Sequence, residues 1–218
     1  MLNQGMGQNG YHKLYYSSRD WKFYRGLLSL LITHSEPGPI LDIGCGCGYL
    51  IECAMRWGLT CKGLEGASEA ITMARERCPE IDIRQHLLSE AFPFLDQTFQ
   101  TVVMNQVIEH LEPEVVETTL RESYRVLRPR GMLFIASPSK FNTYEKKADT
   151  THINMYSPKE LERLLLSKGF SDIMHMNSPL NFLGKNYLGI GLMTVLFKLT
   201  KWERLSATAN CLAYRGVK

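Results

Sequence analysis

The residues best placed to do chemistry are Asp42, Gly44, Gly46 and Gly48, inside the stretch Ile40–Leu50, together with Glu65. An apolar run leads into an acid and then into glycines at alternate positions, the pattern of a buried strand feeding a tight turn. Glycine has no Cβ, so such a turn can take φ > 0 and admit a ligand close to the backbone, while the helix that follows turns free N–H groups to the same crevice. The spacing is G-x-G-x-G and not the G-x-G-x-x-G of dinucleotide sites, and an acid precedes the first glycine. A carboxylate there suits a ligand with a cationic amino group better than a pyrophosphate. Glu65 closes a second short strand, Thr60–Leu64, at about the distance beyond a glycine turn where an acid accepts hydrogen bonds from two ribose hydroxyls.

Positioning these residues requires an alternation of strands and helices, and the periodicity supplies one. Trp21, Tyr24, Leu27, Leu28 and Leu31 recur at helical spacing behind Asp20 as N-cap, and His34–Pro39 ends that helix. After the glycine turn a helix runs from Tyr49 to Trp57 and closes at Gly58, and another runs from Glu69 to Arg77. Ile81–His86 alternates apolar and polar as a third strand, and a fourth ends in Asn105-Gln106-Val107-Ile108-Glu109-His110-Leu111. Pro113 opens a helix whose buried face is Val115, Val116, Thr119, Leu120, Tyr124 and Leu127. Arg128–Gly131 reads as a turn, Met132–Ala136 as strand five, and Ser139–Asn154 as a long polar loop without periodicity. Ser157-Pro158-Lys159-Glu160 combines an N-cap, Pro at N1 and Glu at N3, starting a helix that Gly169 closes. Ser171–Met176 and Ala209–Tyr214 are strands six and seven.

Asp42-Ile43-Gly44-Cys45-Gly46-Cys47-Gly48 resembles the first motif of class I S-adenosylmethionine (SAM) dependent methyltransferases. Asp96–Val102 resembles the family's D-x-S-F-D-x-V with Gln100 for the second acid, and Arg125–Gly131 its R-V-L-K-P-G-G with Arg130 for a glycine. Glu109-His110-Leu111 and Thr151-His152-Ile153-Asn154 lie closest to the small-molecule, ubiquinone-biosynthesis-type branch. The resemblance implies an α/β fold: a Rossmann-like, doubly wound, seven-stranded, mostly parallel sheet with helices on both faces. It implies SAM as cofactor, held by Asp42, Gly44, Cys45, Gly46, Gly48, Glu65, Gly66, Asn105 and Gln106. Leu88 and Ser89 would line the adenine pocket, where many members carry an acid at the position of Leu88. Tyr16 would belong to an N-terminal lid over the cofactor, or else pack on the first helix.

The chain of 218 residues fits one domain, 1–218, with residues 1–35 as lid and helix and 178–206 as an apolar insert between strands six and seven. In the insert, Leu188, Leu192, Val195, Leu196 and Leu199 share one helical face flanked by lysines. That face reads as a cap over an apolar substrate pocket, ahead of a surface at 186–199 resting on a membrane or on a second subunit. A net charge of +3 with scattered basic residues gives no reason to expect nucleic acid. The six cysteines form no C-x-x-C pair, and no disulfide framework or metal site is expected; Met1–Asn9 does not read as a signal peptide, and the expected location is cytoplasmic. A monomer or a homodimer fits equally.

The reaction so implied is transfer of a methyl group from SAM to a small acceptor, an oxygen or nitrogen nucleophile on an apolar or aromatic compound. A base is required only where that nucleophile must lose a proton. His110 and His152, both on segments at the carboxyl side of the sheet, are the candidates. A SAM-binding regulator or inactive partner, or a methyltransferase acting on protein or RNA, would share the cofactor motifs.

Overall fold

The structure is a computed structural model and describes residues 20–178, 195, 198 and 203–216. Tyr16, the proposed lid up to residue 19 and most of the 178–206 insert lie outside the described residues.

A 3-10 turn, Trp21–Tyr24, opens on Asp20, whose carboxylate accepts from Lys22 N (2.8 Å) and Phe23 N (3.3 Å). Helix α1 (Arg25–His34) follows, then β1 (Ile40–Ile43), α2 (Tyr49–Arg56), β2 (Cys61–Glu65), α3 (Ser68–Arg77), β3 (Ile83–Gln85) and β4 (Phe99–Asn105). The second half comprises α4 (Pro113–Val126), β5 (Leu127–Ala136), α5 (Thr143–Ala148), α6 (Pro158–Ser167), β6 (Phe170–His175) and β7 (Cys211–Arg215). Seven strands form one sheet in the order β3-β2-β1-β4-β5-β7-β6, parallel except for β7, which runs antiparallel to both neighbours.

Strand alternation divides the core into two layers. Leu41, Ile43, Val102, Met104, Leu133 and Ile135 face the side covered by Val116 and Leu120 of α4 and Leu161 and Leu165 of α6. Ile40, Val103, Met132 and Phe134 face the side covered by Leu28 and Leu31 of α1, Leu50 and Ile51 of α2, and Ile71 and Ala74 of α3. Helices therefore flank both faces, and the central strands β1 and β4 are buried along almost their whole length. The strand order reverses between β1 and β4, which opens a crevice at their carboxyl ends. Asp42, Glu65 and Asn105 all stand at that edge.

Several segments differ from the sequence reading. Leu127, expected on the buried face of α4, instead opens β5, and β3 covers only Ile83–Gln85 of the expected Ile81–His86. Arg128–Gly131 is not a turn between elements but a bulge inside β5: Leu127 pairs with Phe99 and Met132 with Thr101, so the extra residues loop out of the ladder. Arg130 sits there at φ 61, which explains why a glycine suits the position, since an L side chain in the left-handed region costs about 1–2 kcal/mol. The polar segment after β5 also contains α5, N-capped by Asn142, whose side chain accepts from Glu145 N (3.4 Å). A helix of six residues is too short for periodicity to reveal. Its fellow, α6, begins with the expected capping box between Ser157 and Glu160.

Candidate functional site

The glycine turn is built by its own backbone. Gly44 N and Cys45 N both donate to Leu64 O (2.8 and 3.1 Å), which stitches the turn to the end of β2, and Gly48 N donates to Cys45 O (2.9 Å). Gly44, Gly46 and Gly48 have φ of 63, 52 and 70, the region where a Cβ is strained. A Cβ on Gly44 would meet Val107 Cγ2 at 2.7 Å, and one on Gly48 would meet Ile81 Cδ1 at 2.4 Å. The turn thus lies against the segment after β4 on one side and the start of the third strand region on the other. From beneath, the Arg77 guanidinium donates to Cys47 O, pairs with the buried Glu52 (2.8 Å) and stacks 4.0 Å over the Tyr49 ring. Cys45 turns its thiol inward against Gly63, where a Cβ would come within 2.5 Å of Sγ. Burial pushes that thiol well above its ordinary value, so Cys45 offers the crevice its backbone and not its sulfur.

Two acids converge on this turn because β1 and β2 pair with Asp42 opposite Gly63, so Glu65 emerges two residues further along the neighbouring strand. The Glu65 carboxylate accepts from Gly46 N (2.8 Å) and Ala67 N (2.9 Å), which fixes it at the lip of the turn. Asp42 is 5% exposed, and burial, with Glu65 adding repulsion, pushes its carboxyl up to about 8. Gly66 is exposed beside Glu65. The donor set fits the group named by the motif: a carboxylate short of compensating charge for an ammonium, and a second carboxylate at the turn for ribose hydroxyls.

The segment Leu88–Asp96 is held in shape by one face of α4. Thr119 Oγ1 donates to Leu88 O (3.3 Å), Glu122 accepts from Phe92 N (2.8 Å), and Arg125 donates to Phe92 O (3.0 Å), Phe94 O (2.9 Å) and Asp96 (2.7 Å). Leu88 is half-buried and Ser89 exposed on it. The sequence reading gave Arg125 and Glu122 no role, because a side chain that works through backbone carbonyls of a distant loop leaves no local pattern.

At the end of β4, Asn105 is half-buried and Gln106 is exposed with φ 58. A residue other than glycine in that region at the mouth of a ligand crevice is strain of the kind that collects at functional sites. Beyond it, Glu109, His110 and His152 form a cluster. The rings of His110 and His152 are 4.8 Å apart, and a carboxylate or imidazole atom from each of the three residues lies within 4.8 Å of the others. His110 Nδ1 meets Thr151 O (3.2 Å) and Thr151 Oγ1 (2.9 Å). Ile153 N and Asn154 N both donate to Glu109 O (2.9 and 3.0 Å), so the loop after β5 is pinned to the end of β4. Burial lowers the His110 imidazole, with His152 adding to the effect and Thr151 and Asp149 opposing it. Glu109 is fully buried and is the site residue that sequence reasoning missed: it was read only as part of a motif. A shallow recess of about 390 Å³ lined by His34, Glu36, Arg130 and Asp172 lies at the amino ends of the strands, away from all of these groups.

Comparison with known proteins agrees with the geometry. Residues 41–135 match the family model described as "Methyltransferase domain". A Mycobacterium tuberculosis protein described as a "probable S-adenosylmethionine-dependent methyltransferase" is 33% identical over 141 residues, covering 62% of this chain and 49% of that protein. The bovine mitochondrial ubiquinone biosynthesis O-methyltransferase is 30% identical over 171 residues, 66% of this chain and 46% of that one. The chain therefore spans about half the length of the curated relatives it matches. Among solved structures, a SAM-dependent methyltransferase from Archaeoglobus fulgidus superposes with a TM-score of 0.72 at 18% identity, over 94% of this chain and all (100%) of that one. The Haemonchus contortus phosphoethanolamine N-methyltransferase 2 in complex with SAM gives 0.67 at 17% identity, over 90% of this chain and 53% of that one. Fold, motif order and family model agree: residues 41–135 match a methyltransferase domain, and the sheet has the fold of the solved SAM-dependent methyltransferases on which it superposes.

Proposed function

We propose that the protein binds SAM at the carboxyl ends of β1, β2 and β4 and transfers its methyl group to a small-molecule acceptor, an oxygen or nitrogen nucleophile on an apolar or aromatic compound. The observation that carries this reading is the pair of buried acids on one glycine turn: Asp42, which no cationic side chain among the described residues holds, and Glu65 anchored by Gly46 N. In this reading Asp42 faces the ammonium of the cofactor, Glu65 its ribose, the Leu88–Ser89 segment its adenine, and Asn105 and Gln106 its methionine portion. When bound, SAM supplies a methyl group on a positively charged sulfur. The chain's own contribution is to hold the acceptor in line and keep water out, which together can account for much of the rate. The small-molecule acceptor is favoured by the names of the relatives, one of them an O-methyltransferase acting in ubiquinone biosynthesis.

The test is calorimetric titration with SAM, its demethylated product and NAD, on wild type and Glu65→Ala. Binding of the first two, weakened in the variant and absent for NAD, is the expected result. Equal affinity in wild type and variant, or binding of NAD alone, would remove the cofactor assignment.

A further inference from the structure

The end of the glycine turn is soft and has to be held from outside. Gly46 and Gly48 sit at φ 52 and 70, and glycine loses more freedom on ordering than any other residue. Helix α2 begins at Gly48, which has no side chain to cap it. On one side the Glu65 carboxylate fixes the turn through Gly46 N (2.8 Å). On the other, Arg77 fixes it through Cys47 O, the carbonyl of the peptide that joins Cys47 to Gly48. The N–H of that peptide donates to Cys45 O (2.9 Å), so fixing its carbonyl fixes the whole plane that closes the turn. Arg77 stands in the last turn of α3, and its guanidinium is engaged three times. Nε donates to Glu52 Oε2 (2.8 Å), Nη2 donates to Cys47 O, and Cζ lies 4.0 Å from the centroid of the Tyr49 ring. Glu52, 6% exposed, holds Arg77 with one oxygen and Arg56 with the other, at 3.1 Å from Nε and 2.9 Å from Nη2. The 3-10 turn Trp21–Tyr24 meets both arms: Arg56 Cζ sits 4.7 Å over the Trp21 ring, and the Tyr24 ring stacks on Tyr49 with centroids 6.3 Å apart. A buried ion pair adds little to folding by itself, because desolvation offsets the attraction. What this one adds is direction, a planar fork aimed at one carbonyl.

We propose that Arg77 is a positioning residue for the cofactor: acting through Cys47 O, it holds the glycine turn in the shape SAM requires, with Glu52 as its anchor and Trp21 and Tyr24 as its cover. This rests on the methyltransferase reading above. Arg77 approaches the turn from beneath, so its effect reaches the ligand through the backbone. Without that hold the cofactor itself must order Cys47 and Gly48, which lowers affinity by about tenfold for each residue so ordered. The N-terminal turn Trp21–Tyr24, remote in sequence from the motif residues, thereby becomes part of what makes the crevice fit for SAM.

Calorimetry of the full chain with SAM and its demethylated product tests this and requires no acceptor. Arg77→Ala should weaken both ligands by about tenfold to a hundredfold. Arg77→Lys should recover little of the loss, because one ammonium cannot bond Glu52 and Cys47 O in a single plane. The Arg77 side chain is 29% exposed, so a guanidinium ion from solution can enter the space that alanine leaves. Methylguanidinium should therefore restore SAM affinity to Arg77→Ala in a saturable way and leave the wild type unchanged. The double variant Glu52→Gln/Arg77→Met removes the buried pair together and should keep the urea midpoint close to that of wild type, while SAM affinity falls as in Arg77→Ala. In that variant the amides of Gly46 and Gly48 should exchange with solvent about tenfold faster, with those of β4 unchanged. SAM affinity equal to wild type in the double variant would overturn the proposal. So would a loss of affinity that follows the urea midpoint and is not restored by methylguanidinium, since Arg77 would then serve stability alone. A wild type that binds neither ligand would overturn the methyltransferase reading and this inference with it, whereas binding that survives in every variant would overturn this inference alone.

Discussion

Asp42 allows a quantitative test of how the cofactor crevice works. Its carboxyl is 5% exposed and is pushed up to about 8, by burial first and by Glu65 second. A bound ammonium favours the charged form and should return the group to the ordinary carboxylate range. At pH 7 a carboxyl of that value carries about 0.9 proton, so SAM binding should release nearly one proton, and affinity should rise about ninefold from pH 6 to pH 7, or about 1.3 kcal/mol. The rise should level around and above pH 8, where Asp42 is half ionised and an α-amino group of about 7.7–8.0 loses its charge. The assay is calorimetry in buffers of different ionisation heat, which counts the protons directly. Asp42→Asn keeps the shape of the side chain without a titrating proton, so its profile should be flat between pH 6 and pH 7 and its affinity weaker at pH 8. The sign of the folding contribution is opposite: a carboxyl raised in the folded state costs nothing below its ordinary value of 3.8 and an increasing amount as pH climbs to about 8. The SAM-free Asp42→Asn variant should therefore be more stable than wild type at pH 8. A wild-type affinity that does not change with pH, or an equal slope in the variant, would refute the assignment.

Three further outcomes follow from packing. Gly48→Ala places a Cβ at φ 70 and 2.4 Å from Ile81 Cδ1, so urea unfolding should show a loss of about 1–3 kcal/mol; a change below about 0.5 kcal/mol would mean the turn relaxes freely. Arg125→Ala removes the clamp on Phe92 O and Phe94 O and leaves Glu122 without its partner, and should weaken SAM binding about tenfold or more, with Arg125→Lys restoring only part because one ammonium cannot match the fork. Arg130→Gly relieves φ 61 in the β5 bulge and should raise stability by about 0.5–1 kcal/mol, after the entropy cost of glycine; an unchanged or lower urea midpoint would show that the arginine side chain compensates the strain.

What could be read from the sequence was whatever lies in consecutive residues. The order of strands, the glycine turn, the capping box of α6 and the closing glycines at 58 and 169, with φ of 72 and 90, all depend on neighbours in the chain and were legible. The positions of Asp42 and Glu65 were legible because each lies at the carboxyl end of a strand whose direction the pattern fixes. The bulge at Arg128–Gly131 was misread because a loop between elements and a loop within a strand have the same composition; only the pairing of Leu127 with Phe99 separates them. Arg125 and Glu122 were illegible for a different reason. Their partners lie 29 to 33 residues away, and their bonds go mainly to backbone atoms, which any sequence would offer. Glu109 was hidden by its own chemistry, since an acid next to a histidine before a helix reads as a solvated loop. Nothing in its neighbours announces that it will be fully buried.

Asp42 should also be visible in kinetics. An ammonium held by Asp42 is present before and after the methyl group leaves, so that contact stabilises the ground state and the transition state alike. Interactions of this kind lower KM without raising kcat. Asp42→Asn should therefore raise KM for SAM with kcat nearly intact. A variant that lowered kcat as much as it raised KM would show that the charge at Asp42 acts on the reacting methyl group as well as on the ammonium.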